Sequence, residues 1–270
     1  MSYGDEIMAC GQALSLARET GKRVRIVDAR GKRRWDDLWR NIPEILHPRE
    51  RVIDYAVLRN GVGARPYLDY TNWDGIRATH TGWRAQDHIG RIVFDESEIE
   101  FAEKACRGFG PFVLIEPNIA KASATVRWDS NPNKQWGRNR WQELVRLVKL
   151  PAVQVGAKGT EVLDGVYFIP TESFRLGAAV LQRAALSILP EGGLHHAAAA
   201  LGRRAVVLFG GVISPSTTGY PFHINITRGE PCRMLVPCKH CEQTWQTISP
   251  EEVAGHASSL LASSPGQSRV

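Results

Sequence analysis

From Pro111 onward, short apolar runs alternate with amphipathic helical patterns, and this alternation limits the fold more than any other feature of the chain. "PFVLIEPN", "AVQVG", "VYFIP", "LSIL" and "AVVLFGG" read as short buried strands. Between them, "RNRWQELVRLVK" turns Trp141, Leu144, Val145 and Val148 inward, "SFRLGAAVLQRAA" opens on Ser173 as N-cap, and "GLHHAAAALG" is a short alanine-rich helix. A last helix, "SPEEVAGHASSLLA", begins with Ser249 as N-cap, Pro250 in the first turn and Glu252 closing a capping box. Short strands alternating with helices define an α/β chain with a parallel, doubly wound sheet.

The half before Pro111 is less regular. A helix is expected from about Asp5 to Thr20, with Ile7, Cys10, Leu14 and Ala17 on one face and Gly21 as its stop. A strand over 23–29, a Trp-rich amphipathic stretch "WDDLWRNIPEIL", a second strand over 51–58 and a helix over 97–110 follow. Residues 60–95 lose all periodicity, which in a chain of this kind marks a functional loop region. The break at Gly108–Pro111 divides the chain into two Rossmann-like units, 1–110 and 111–262, with 263–270 as a flexible tail. The first unit is reduced and has no evident strand ahead of Asp5. A rearranged sheet, a partner that supplies the missing edge, or a true start further upstream would each account for that.

With 43% hydrophobic and 23% charged residues over 270 positions, the chain has the composition of a soluble globular protein. No apolar run approaches the roughly 18 residues of a membrane span, and "MSYGDEIMAC" lacks a signal-peptide pattern, so a cytoplasmic location is the expectation. The net charge of +6 favours an anionic partner such as a nucleotide, a nucleic acid or an anionic glycolipid. Basic residues crowd into 21–35 beside Trp35 and Trp39, as a solvated strand edge or as a nucleic-acid face. Cys10 and Cys106 read as small buried apolar residues. Cys232, Cys238 and Cys241 cluster around His240, as a zinc site or as free thiols; one regular C-x-x-C favours the thiols.

In a doubly wound sheet, ligands bind at the carboxyl ends of the strands. That rule selects the loops at Asn118–Lys134, Gly156, Glu191–His196 and Gly210–Gly219, and sets Gly4 and Asp5 at the rim of the first unit. A helix start carries unpaired N–H groups and a partial positive charge, so it suits phosphate, and Gly192 and Gly193 let the backbone approach it. Lys134 offers a full positive charge, and Thr217, Thr218 and Gly219 offer hydroxyls and a turn. No G-x-G-x-x-G and no P-loop pattern is present. Adjacent histidines diverge by about 100° around a helix, which with no third ligand nearby argues against a metal at His195 and His196. His195 is expected to face solvent or the cleft between the units.

"KQWGRNRWQEL", "EGGLHHAAAALG" and "LFGGVISPSTTGY" occur in this order, and the chain thereby resembles the ADP-heptose:lipopolysaccharide heptosyltransferases, two-domain glycosyltransferases of GT-B type. That family runs Lys-x-Trp-Pro, then Asp-Thr-Gly-x-x-His, then Gly-x-Thr-x-Pro. "YGDEIMACGQALSLA" is similar to its Gly-Asp loop and first helix, and "CKHCEQTWQTISPEEV" to a Cys-rich turn and last helix of some members. The resemblance covers 111–255 well and 30–110 thinly. It implies a nucleotide-diphosphate sugar as donor, inversion, and neither metal nor further cofactor in the chemistry. Asp5 would be the general base. Lys134, Glu191, Gly192, Gly193, Leu194, His195, His196, Thr217, Thr218 and Gly219 would line the donor side, with His196 as the family histidine. Glu191-Gly192 replaces the family's Asp-Thr and Ile213 its loop threonine, so a different sugar or base is expected. The acceptor would be a saccharide or a hydroxylated base of modified nucleic acid. Plainer roles stand beside these: Asp5 as an N-cap, Glu191 as a cap of its helix, His196 as a core histidine and Lys134 as a solvated lysine. A non-catalytic nucleotide-sugar or nucleic-acid binding protein is the alternative function, with a sugar-nucleotide epimerase behind it.

Overall fold

The computed structural model describes residues 3–72, 76–117, 132–234 and 236–263. The chain opens with α1 (Tyr3–Thr20), β1 (Val24–Val27), β2 (Ala56–Arg59) and α2 (Glu96–Ala105). It continues with β3 (Val113–Ile115), α3 (Arg138–Leu147), β4 (Ala152–Gly156), β5 (Tyr167–Pro170), α4 (Phe174–Arg183), β6 (Leu186–Pro190) and α5 (Gly193–Ala200). The last elements are β7 (Ala205–Leu208), α6 (Pro215–Thr218), β8 (Ile224–Ile226), α7 (Lys239–Gln246) and α8 (Pro250–Ala262).

The larger sheet has the order β5-β4-β3-β6-β7-β8 with every pair parallel. The chain works outward from β3 in one direction, then returns to β6 and works outward in the other. Its switch point is the crevice between β3 and β6. Alternation along the strands sorts the two faces. Leu114, Val153, Val155, Leu189 and Val207 join one apolar cluster with Ala178 and Leu181 of α4 and Leu194 and Ala197 of α5. Val113, Ile115, Ile188, Val206 and Leu208 join the other with Trp141 and Leu144 of α3 and Val253, Ala257 and Leu260 of α8. Helices cover both faces, so β6 and β7 are buried throughout.

In the first unit β1 and β2 form a two-stranded parallel sheet. Its core is not separate. Ile7, Val24, Ile26 and Trp39 share one cluster with Val155, Ala178 and Leu194, because α1 packs on β1 and β2 with one side and on α5 with the other. Close approach needs small residues: a Cβ on Gly11 would lie 1.9 Å from the His88 carbonyl oxygen. A second joint is polar. Arg175 of α4 donates from Nε and Nη2 to the two carboxylate oxygens of Glu98 in α2, at 2.6 and 2.7 Å, with both residues buried.

Several expectations change in detail. The helix begins at Tyr3, so Asp5 sits inside the first turn and is not its N-cap. "WDDLWRNIPEIL" is one 3-10 turn, Asp37–Trp39, because Asn41 takes a left-handed φ of 64° and Pro43 cannot continue a helix. The second strand is cut to Ala56–Arg59, and the 97–110 helix to Glu96–Ala105, started by an Asp95–Glu98 capping box. Ser173 and Ser249 cap their helices as read, but the Glu252 carboxylate pairs with Arg228 in place of closing the capping box. Trp141 and Leu144 are buried, whereas Val145 and Val148 are half-buried. Cys106 is half-buried rather than buried. Among the described residues no helix is long and apolar enough to cross a membrane. Most of the loop expected at Asn118–Lys134, and nearly all of the tail, lie outside the described residues.

Candidate active site

The site is built where the first turns of α1 and α5 meet. β6 ends at Pro190, the Glu191 N–H still donates to the Leu208 carbonyl at 2.9 Å, and Gly192 takes the cap position of α5. A Cβ on Gly4 would fall 2.9 Å from His196 Cδ2 and 3.6 Å from Gly193 Cα. A Cβ on Gly193 would fall 3.0 Å from the Phe174 ring, on which Tyr3 stacks at 4.4 Å. Glycine at both positions lets the two helix starts touch, so Asp5 stands beside the helix end that the sequence selects for phosphate.

The charges converge there. Lys134, just ahead of α3, pairs with one oxygen of Glu191, which is 5% exposed. The other oxygen lies 3.8 Å from His196 Nε2, and His196 Nδ1 shares a 2.9 Å hydrogen bond with the Tyr220 hydroxyl. Burial pushes the Glu191 carboxyl up, but Lys134 first and His196 next outweigh it and hold that carboxyl well below the usual range. Asp5, also buried, has Arg65 Nε at 3.6 Å from Oδ2. The Arg65 guanidinium lies in the field of Tyr67, Asp5 and Glu191 together. Glu191 therefore serves as counter-ion to Lys134, and the cap position of α5 falls to Gly192.

His195 reverses its expectation: it is 0% exposed. Its ring sits 4.7 Å from His196, 5.2 Å from Tyr220, 5.4 Å from His223 and 5.7 Å from Phe209. Neither ring nitrogen has a hydrogen-bond partner among the described residues. Burial, then the neighbouring His196 and His223, lower its pKa well below the ordinary value and keep it neutral. The 100° step between neighbours does not separate the two rings, because both sides of α5 are covered. The argument from a missing third ligand also fails: Glu191 brings a carboxylate oxygen within 4.8 Å of a nitrogen of each histidine.

In the Gly210–Gly219 loop, Thr218 is fully buried with no hydrogen-bond partner for its hydroxyl among the described residues, and Thr217 is half-buried. Gly219 is needed because a Cβ would lie 2.6 Å from the Pro215 carbonyl oxygen. What this loop delivers to His196 is the next residue, Tyr220. Tyr220, Arg65, Tyr3 and Phe174 were not foreseen. Tyr220 directly follows the glycine of "STTGY", and Tyr3 directly precedes Gly4; Arg65 and Phe174 carry no local signal.

Leu194, Tyr3 and Phe174 also border a cavity of about 250 Å³ with Gly156, Thr160 and Thr171. It opens at the carboxyl ends of β4 and β5, where this sheet topology binds ligands. A larger space of about 630 Å³, lined by Arg18, Lys22, Glu44 and Arg91, lies at the far end of α1. Thirteen helical residues, roughly 20 Å, separate Arg18 from Asp5, so that space belongs to other chemistry.

No family model matches the sequence, and no curated protein does. Solved structures do. A glycosyl transferase family 9 protein from Veillonella parvula aligns with a TM-score of 0.64 over 98% of this chain and 96% of its own, at 16% identity. The dodecameric iron-containing heptosyltransferase TibC in complex with ADP-D-β-D-heptose aligns with a TM-score of 0.52 over 84% of this chain and 66% of its own, also at 16% identity. The chain spans 55% of the length of the Escherichia coli ADP-heptose lps heptosyltransferase II, at 18% identity and a TM-score of 0.49. The parallel α/β fold of this chain, doubly wound in its larger sheet, is that of the family 9 glycosyltransferase structure.

Proposed function

We propose that the chain is a glycosyltransferase that moves a sugar from a nucleotide-diphosphate sugar to a hydroxyl acceptor, with inversion and without metal or further cofactor in the chemical step. The observation that carries this reading is the contact of the α1 start, which bears Asp5, with the α5 start, where Glu191 pairs with Lys134. The unit 111–262 would hold the donor, its nucleoside in the cavity beside Leu194 and its diphosphate on the α5 N–H groups and Lys134. Asp5, from the unit 1–110, takes the proton as the acceptor oxygen attacks the anomeric carbon. The cationic groups stabilise the departing diphosphate. Glu191 holds Lys134 until that anion arrives. The neighbour's complex with ADP-D-β-D-heptose makes an ADP-linked sugar the first donor to try.

A saccharide hydroxyl is favoured over a nucleic-acid base. Within 21–35, Lys22 pairs with Asp54, Arg23 with Glu50 and Arg34 with Glu6, while Arg25 is buried against Tyr55 and backbone carbonyls. Charges neutralised in this way release few counterions from a phosphate backbone, which leaves Arg30, Lys32 and Arg33 as the exposed cations of that stretch. The test compares wild type with Asp5→Asn on a panel of nucleotide sugars, reading transfer and nucleotide binding separately. Transfer by wild type, and binding without transfer by the variant, support the reading. Equal inactivity of both with binding intact would leave a nucleotide-sugar binding protein instead.

A further inference from the structure

The cavity of about 630 Å³ at the far end of α1 takes no part in the chemistry above. The last turns of α1 and the segment 86–91 form two of its walls, and glycines hold them in contact. Gly11 admits the His88 carbonyl, and a Cβ on Gly90 would lie 2.6 Å from the Ile7 carbonyl oxygen. Polar ties reinforce this seam. Ser15 Oγ and His88 Nδ1 lie 2.9 Å apart, and the Cys10 thiol donates to the Arg91 carbonyl at 3.6 Å. Walls joined through backbone contacts cannot close further, so the space is part of the packed fold. Its volume falls within the roughly 300–1,000 Å³ of small-molecule sites.

The lining divides into an apolar wall and a charged rim. Leu14, Ala17, Ile89 and Ala200 supply the wall, and Ile89 is 37% exposed, a large apolar side chain open to water. On the rim most charges are matched. Lys22 pairs with Asp54, Arg23 with Glu50, Arg91 with Glu44, and Asp87 with Arg84. Arg18 differs: its Nε donates to the Leu14 carbonyl at 3.4 Å and its Nη2 to the Ser15 hydroxyl at 3.1 Å, both neutral acceptors. Among the described residues no carboxylate pairs with it. The Ser15 hydroxyl that meets His88 thus also fixes the Arg18 fork. Two carbonyls of the last turn, of Leu16 and Ala17, accept from the Thr20 hydroxyl and the Gly21 N–H at 2.7 and 2.9 Å, which leaves fewer free carbonyls to oppose an anion. One guanidinium without a counter-ion therefore stands over an apolar wall.

We propose that this cavity is a second binding site, for an amphiphile with a single anionic head: Arg18 holds a carboxylate or phosphate, and Leu14, Ala17, Ile89 and Ala200 receive an apolar body. A guanidinium fork meets either head with two parallel hydrogen bonds. The matched pairs on the rim add no further net charge, so one anionic group completes the electrostatics and the body covers Ile89. The site lies roughly 20 Å along α1 from Asp5 and stands whether or not the chain transfers a sugar. A free amphiphilic acid and an anionic lipid of a bilayer share this chemistry.

The test titrates the full chain with octyl phosphate, below its micellar range, by calorimetry. One molecule should bind per chain. Arg18→Gln should weaken it about tenfold, through loss of a charge-assisted hydrogen bond. Ile89→Ser should weaken it roughly fivefold, through loss of apolar contact. Both side chains are exposed, so both variants should melt with the wild type. Inorganic phosphate and octyl glucoside each carry half of the chemistry and should bind about tenfold more weakly than octyl phosphate. Absence of octyl phosphate binding, unchanged binding in Arg18→Gln, or inorganic phosphate binding as well as octyl phosphate overturns the site. Vesicles of phosphatidylglycerol, with phosphatidylcholine as control, separate the two sources. Retention on the anionic vesicles alone, lost in Arg18→Gln, identifies a bilayer lipid. Octyl phosphate binding without retention on either identifies a free amphiphile.

Discussion

Lys134→Met tests whether Glu191 is a stored counter-ion. The substitution keeps most of the side-chain volume and removes the cation from a carboxylate that is 5% exposed. Breaking a buried pair costs about 3–5 kcal/mol. Here the Lys134 side chain is 23% exposed and His196 remains beside the carboxylate, so about 2–3 kcal/mol is expected. For a chain of this size that is a fall in Tm of roughly 5–10 °C at pH 7. The pH dependence has a definite sign. Burial raises the Glu191 pKa, but Lys134 and His196 hold it well below its ordinary value. The stabilisation is therefore present above the ordinary carboxylate range and is lost as pH falls through the folded value. In the variant burial dominates and raises the carboxyl pKa, so the deficit against wild type shrinks as pH falls. Adding Glu191→Gln to Lys134→Met removes the stranded charge and should recover most of the loss at pH 7. Thermal melts of the three proteins at pH 7 and pH 5 decide it. A single variant melting with the wild type at pH 7, or a double variant no better than the single, refutes the argument.

Glu191→Gln alone removes the anion that competes for Lys134, so ADP should bind roughly five- to thirtyfold more tightly, about 1–2 kcal/mol by titration calorimetry; weaker binding would show that the carboxylate helps the diphosphate. His195→Phe loses no hydrogen bond and should melt with the wild type at pH 8. Below about pH 6.5 the unfolded histidine takes up a proton that the buried one refuses, so the wild type loses stability and the variant should melt higher at pH 5. His223, held at about 4 by burial, should preserve part of the wild-type pH dependence in that variant. Arg175→Met strands Glu98 between α2 and α4, although Arg40 remains at 2.8 Å, and should cost about 3 kcal/mol, read by denaturant unfolding.

The larger sheet was legible in five of its six strands because those five repeat the same local grammar. Buried strands such as "LSIL" and "AVVLFGG" cannot sit anywhere but between two helical layers, and Ser173 and Ser249 mark helix starts by chemistry that needs no tertiary partner. The strand β8 (Ile224–Ile226) and helix α7 were not foreseen, since three residues of "INI" and a helix opening on "KHCE" carry little periodicity. In the site, Asp5, Lys134, Glu191, Gly192, Gly193 and His196 do come together. What could not be read was contact across the chain. Arg65 reaches Asp5 from an aperiodic segment, and Tyr220 reaches His196 from beyond β7 and α6. The position of His195 was misjudged for the same reason: a helix pattern tells which side a residue takes, not whether a second body covers that side. Here Tyr220, Phe209 and His223 do.

A first unit with two paired strands still presents its carboxylate, and the reason lies in what α1 leans on. A helix on a two-stranded sheet alone would be a weak support for Asp5, since such a sheet is marginal without further packing. α1 instead packs on α5 over a seam where Gly4 removes side-chain bulk, while Gly11 lets the His88–Gly90 backbone close on its other side. The partner that steadies the acceptor carboxylate is thus the helix whose start would hold the donor. The Glu6 carboxylate next to Asp5 is clamped by Arg34 at 2.7 Å and accepts from the Gly63 N–H at 3.1 Å, which ties the loop bearing Arg65 to the same turn. Residues of the two units that would meet only on closure in a protein with independent lobes are here fixed by one core and by the Arg175–Glu98 joint. Such a site gains preorganisation and gives up the freedom to open by hinge motion.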